Sequence, residues 1–114
     1  MWERIELFHR LFSEDRVTFR GRFHDYDQVR IVPSPLRQPS PIWAATNITR
    51  LASGGSAGRM PVKTLARVGE ICDGWMTHSV NPETFTEAWG HIRASATEHG
   101  KDPDAMDNAL VVNI

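Results

Sequence analysis

Between residues 41 and 77 the apolar and polar positions change rhythm three times, and the changes read as strand, loop, helix and strand. Pro41-Ile42-Trp43-Ala44-Ala45 is a short run with no polar side, the pattern of a parallel strand buried on both faces. Residues 46–58 are small and polar. Arg59-Met60-Pro61 then opens a helix with apolar positions at Val62, Leu65, Ala66 and Gly69, and Cys72-Asp73-Gly74 turns into Trp75-Met76-Thr77. Two neighbouring parallel strands joined this way take a right-handed crossover. That crossover sets residues 46–58 and 77–81 side by side at the carboxyl edge of one sheet, where open α/β folds bind ligands.

On either side of this unit the rhythm is equally informative. Trp2, Ile5, Phe8 and Phe12 recur at steps of three and four among charged residues, which predicts an amphipathic helix. Val17, Phe19, Gly21 and Phe23 alternate with polar residues as a half-exposed strand or hairpin does, with Val29 and Ile31 as its second arm. Pro33, Pro35, Pro39 and Pro41 remove backbone donors and fix φ, so the stretch before the first buried strand is an extended connector. Downstream, Asn81 is a good N-cap, Pro82 suits the first helical position and Phe85, Ala88, Trp89, Ile92 and Ala96 form one stripe. Gly100 fits the position just past the helix end. Asp102-Pro103-Asp104 predicts a turn or one helical turn, and Leu110-Val111-Val112-Asn113-Ile114 a last buried strand.

From Ile42 onward the order is therefore β-α-β-α-β, an α/β pattern that calls for a parallel sheet covered by helices. A closed (β/α)₈ barrel needs about 250 residues, and 114 supply less than half of one, as a single incomplete domain. The division expected is 1–40 for the first helix, the hairpin and the connector, and 41–114 for the alternating segment. The first helix has no capping residue before it, and the last strand presents an open edge. Both features suggest a fragment of a larger architecture, paired with itself as a homo-oligomer or with a complementary barrel half.

Composition removes some partners without naming one. A formal charge of -1 with eleven Arg and two Lys gives no basic field for nucleic acid. The single cysteine, Cys72, excludes an intrachain disulfide and reads as a small core residue. No apolar run approaches the roughly 18 residues of a membrane span and no leader precedes the first helix, so a cytoplasmic protein is expected. His9, His24, His91 and His99 stand singly, without the spacing of metal ligands.

Two places remain for chemistry, the first with two readings. Ser53-Gly54-Gly55-Ser56-Ala57-Gly58 is either a nest of backbone N–H groups for an anion, with Gly55 and Ser56 at its centre, or an exposed loop. Thr77 and His78 follow the second strand directly and fall on the same rim. Gly54-x-Ser56-x-Gly58 also matches a nucleophile elbow, with Asp73 or Asp104 and His91 or His99 as hypothetical triad partners. Its neighbours lack the required strand-to-helix turn.

With these residues in view, the chain resembles the luciferase-like monooxygenase superfamily, particularly its coenzyme F420-dependent branch, along nearly its whole length. Val32-Pro33-Ser34-Pro35 with Gln38-Pro39, the strand Pro41 to Thr46, Asp73-Gly74-Trp75-Met76, and Ala96-x-x-x-Gly100-x-Asp102-Pro103 carry the resemblance. Phe19-x-Gly21-x-Phe23 resembles the family's hairpin insertion. The resemblance implies the later half of a (β/α)₈ barrel oxidoreductase that uses FMN or coenzyme F420 on a small organic substrate. Many relatives end the first of these strands with two glycines, where this chain has Thr46 and Asn47. On this reading a hydroxyl and an amide join Gly55, Ser56, Thr77 and His78 as the cofactor-binding set. The early strands of the family barrel have no counterpart here, which leaves a catalytically silent relative, acting only by association, as the alternative.

Overall fold

The computed structural model describes residues 1–48 and 59–112. They form two compact units, Met1–Ile42 and Trp43–Ile114.

The first unit holds helix α1 (Trp2–Ser13) and an antiparallel pair, β1 (Val17–Arg20) and β2 (Asp25–Val29). In α1 the buried residues are Ile5 and Leu7, while Phe8 is exposed and stacks on Phe12 at 5.8 Å between ring centroids. The expected four-residue stripe is thus only partly buried, and the two rings cover each other instead. The alternation read through Phe23 also ends early, because the chain turns back at residues 21–24. Gly21 N–H donates to His24 O at 2.8 Å, and the N–H groups of Arg22, Phe23 and His24 all donate to the Glu3 carboxylate at 2.8–3.2 Å. Backbone donors that a longer strand would have spent on its partner are spent on α1, and Phe23 is left 71% exposed. Residues 30–42 contain no regular element, as the prolines require.

The second unit is a three-stranded parallel sheet, in the order β3 (Trp43–Ala45), β4 (Gly74–His78), β5 (Asp107–Val111). Helix α2 (Val62–Ile71) lies between β3 and β4 in sequence, and α3 (Pro82–Glu98) between β4 and β5. Leu65, Val68 and Gly69 of α2 and Ala88, Ile92, Ser95 and Ala96 of α3 are buried in the layer where the two helices meet. A Cβ on Gly69 would collide with the Ile92 carbonyl oxygen, so this position requires glycine for close approach. Ser95 Oγ donates to Ala66 O at 2.7 Å across the same layer. Asn81 caps α3 by accepting from Thr84 N–H at 2.8 Å, and Gly100 ends it at φ +73°. Pro103–Ala105 forms the expected single turn, a 3₁₀ turn capped by Asp102.

Strand register sorts the sheet into two unlike faces. Ala44, Trp75 and Thr77 are buried, whereas Trp43, Ala45, Met76, His78 and Val111 are exposed. This corrects the expectation of strands buried on both sides. Trp43 is 41% exposed, lying over Gly74 on the uncovered face, and is not core packing as the apolar run suggests. The last strand also begins earlier than Leu110, at Asp107, and leaves Val111 47% exposed on the uncovered face of an edge strand. Asn113 and Ile114 lie outside the described residues. Among the described residues no helix is long and apolar enough to cross a membrane.

Candidate functional site

Parallel pairing brings the carboxyl ends of β3 and β4 level, since Ala45 is opposite Met76, and Thr46 N–H extends the ladder by donating to Met76 O at 3.0 Å. Thr46 and Asn47 therefore stand beside Thr77 and His78, as the crossover argument predicts. The next residue, Ser79, has φ +55° and donates its N–H to Val111 O at 3.3 Å, turning the chain over the end of β5. A cavity of about 360 Å³ opens at this edge, lined by Ala45, Thr46, Asn47, Met76, Thr77, His78 and Val111.

The donors around it are unusually arranged. Asn47 Nδ2 lies 3.1 Å from His78 Nε2, bridging the two strand ends, and His78 Nδ1 lies 3.2 Å from Ser79 Oγ. With the amide nitrogen donating, Nε2 is the acceptor and the neutral ring carries its proton on Nδ1, toward Ser79. Thr46, 8% exposed, accepts the indole N–H of Trp75 at 2.7 Å. Thr77 is 2% exposed and its Oγ1 has no hydrogen-bond partner among the described residues. An orphaned buried hydroxyl costs about 1–3 kcal/mol, so it calls for an explanation. A ligand oxygen at this edge would supply one.

Of the residues singled out from the sequence, Thr46, Asn47, Thr77 and His78 are brought together here. Gly55 and Ser56 lie outside the described residues. Two participants escaped the sequence reading: Ser79, and Trp75 as a hydrogen-bond donor to Thr46. Strand parity would have found Trp75, because Ala44 and Thr46 fall on the face that carries Trp75 once the register is known.

The other candidates lead elsewhere. Burial pushes the Cys72 thiol up to about 11, with Asp73 adding to the rise and Lys101 and Arg67 opposing it, so it stays a neutral core group at neutral pH. Arg93 holds Asp104 in an ion pair at 2.6 Å, and His99 Nδ1 lies 2.8 Å from Ser95 O, so both are engaged within their own element or the adjoining turn. The serine of the nucleophile-elbow alternative, Ser56, lies outside the described residues. Among the described residues no group of three His, Cys, Asp or Glu side chains is placed to hold a metal ion.

Comparison with known proteins matches residues 1–114 to the family described as luciferase-like monooxygenase. The chain is 28% identical over 114 residues to an F420-dependent glucose-6-phosphate dehydrogenase of Nakamurella multipartita, a match covering 98% of this chain and 30% of that protein. Among solved structures it is similar to the coenzyme F420-dependent tetrahydromethanopterin reductase from Methanopyrus kandleri. That match has a TM-score of 0.67 at 18% identity, over 94% of this chain and 27% of the other, and speaks for a shared fold. The chain spans less than a third of the length of either relative.

Proposed function

The chain belongs to the luciferase-like monooxygenase family, and from that premise we propose that it forms the cofactor-phosphate end of a coenzyme F420-dependent oxidoreductase acting on a small organic substrate. The single observation that carries the reading is the cavity at the ends of β3 and β4, where the buried Thr77 hydroxyl lacks a partner among the described residues. Phosphoryl oxygens are strong acceptors, and charge-assisted bonds to them are roughly twice as strong as neutral ones. The donor set fits such a group: hydroxyls from Thr46 and Thr77, and the Asn47 amide braced by His78. Gly55 and Ser56 belong to the same proposed set. Three parallel strands joined by helices are what the late strands of a (β/α)₈ barrel provide, with phosphate groups at their carboxyl ends.

When bound, reduced coenzyme F420 supplies a hydride, and FMN in the same place would add reaction with oxygen. The residues of this chain hold the phosphate chain, fix its register against the strand ends and shield it from water on the Trp75 side. Both relatives with F420 in their names favour the deazaflavin over FMN.

A fluorescence titration of the purified chain with coenzyme F420 and with FMN tests the proposal. Saturable binding of F420, tighter than FMN and weakened by Thr77→Val, is the expected result. No binding of either at about millimolar cofactor, an affinity worth only about 4 kcal/mol, would overturn it. One observation favours a second reading, a silent relative that works by association with itself or a complementary barrel half. It is the uncovered apolar face carrying Trp43, Met76 and Val111. That reading predicts a concentration-dependent mass in sedimentation together with no cofactor binding.

A further inference from the structure

Trp75 is fully buried, and its ring stacks with Phe85 at 5.2 Å and with Trp89 at 6.4 Å, both on α3. Its one polar atom is spent on Thr46 Oγ1, 2.7 Å away. An indole N–H only donates, so the direction of this bond admits no alternative: Thr46 accepts. The Thr46 hydroxyl is then left with its own proton, and among the described residues no acceptor takes it. Beside it, Thr77 Oγ1 has no hydrogen-bond partner among the described residues. Two nearly buried hydroxyls on adjacent strands thus hold unspent protons at one cavity.

We propose that Trp75 is a positioning residue for this site. By donating to Thr46 Oγ1 it occupies one of that oxygen's two lone pairs and leaves its proton to be donated, so the strand ends favour an acceptor oxygen, and an ionised phosphoryl oxygen most strongly, over a group that can only donate. The inference rests on the cofactor reading above and deepens it, since it assigns the selectivity to a residue that touches no ligand. The aromatic stack sets the indole direction, Thr46 Oγ1 is held by it, and the hydroxyl proton is turned toward a ligand at little ordering cost.

The test uses the 114-residue chain and the indole N–H signal of Trp75 in ¹H–¹⁵N spectra, assigned by its loss in Trp75→Phe. When Thr46 donates to an anion its oxygen becomes a better acceptor, so the Trp75 signal moves downfield. Titration with coenzyme F420, and separately with inorganic phosphate, is expected to move it in the wild type and not in Thr46→Val. Trp75→Phe keeps the ring stack and is expected to bind F420 about 3- to 10-fold more weakly, the weight of one ordinary hydrogen bond. The deazaflavin nucleoside without its phosphate chain should bind both proteins alike. Equal F420 affinity in wild type and Trp75→Phe, or binding that leaves the indole signal unmoved, overturns the inference. Failure to bind F420 and FMN sinks the cofactor reading alone; the phosphate arm then decides, with a shift abolished by Thr46→Val upholding the role of Trp75 and no shift ending it. Should Trp75→Phe lose its fold by circular dichroism, the comparison of wild type with Thr46→Val decides in its place.

Discussion

The two compact units hold their elements together in opposite ways. Within Met1–Ile42 the fastenings are polar: the Glu3 carboxylate takes three backbone N–H groups of the hairpin turn, Arg10 reaches Thr18 O at 3.1 Å, and Arg20 pairs with Asp25. Within Trp43–Ile114 they are apolar, with Leu65, Val68, Ala88, Ile92 and Trp75 buried together beneath one face of a sheet. Exposed ion pairs contribute little each, whereas a fully buried apolar side chain contributes about 1.5–3 kcal/mol. The larger share of the buried apolar side chains therefore lies in Trp43–Ile114, while the hairpin turn of Met1–Ile42 is closed by polar bonds to Glu3.

The sharpest way to break that contrast is Trp75→Ala. Removing a fully buried indole should cost about 3–5 kcal/mol, read as a lower denaturant midpoint, and it should not depend on salt. Next comes a matched pair of added methyls. Gly69→Ala meets the backbone of α3 at Ile92 and should cost about 1–3 kcal/mol. Gly74→Ala meets first the half-exposed ring of Trp43, a side chain and not backbone, so with that ring swinging outward its cost should stay below that of Gly69→Ala in the same measurement.

Thr77→Val works in the other direction. It replaces a partnerless hydroxyl by an isosteric methyl, so the unliganded chain should gain up to about 1 kcal/mol by thermal melting while losing cofactor affinity. That opposition would mark the hydroxyl as kept for a ligand and not for folding.

The smallest effect belongs to the polar unit and appears only with pH. Desolvation pushes the Glu3 carboxyl up, but the N–H groups of Phe23, His24 and Arg22 and the nearby His24 outweigh it and hold it below its ordinary value of 4.5. A carboxylate held down in the folded state stabilises at pH above that value, and the contribution fades as pH falls through the folded-state value. Hydrogen exchange at the Arg22, Phe23 and His24 amides should therefore be protected near neutral pH and lose protection in acid. In Glu3→Gln, protection should be weak at every pH. A variant with wild-type protection would show that the turn needs no carboxylate.

Much of this architecture was legible from local pattern because local physics dictates it. Asn81, Pro82 and Gly100 bound α3, the prolines of residues 33–41 forbid regular structure, and the order of strand and helix sets β3 beside β4 with Thr46 near Thr77. Turn closure at Gly21 was harder to read, since it depends on the carboxylate of Glu3, on another element. Trp43 misled because an apolar run carries no record of whether anything covers its second face.

By itself, then, the amino-acid sequence determined that strands and helices alternate from residue 42 onward, that β3 and β4 run parallel, and that their carboxyl ends carry hydroxyl, amide and imidazole groups. Only the tertiary structure decided which hydroxyl is satisfied and which is orphaned, and that an indole donates to Thr46 while Trp43 lies open. Hydrogen-bond satisfaction depends on register and on side chains distant in sequence, and no periodicity along one chain records who stands opposite whom.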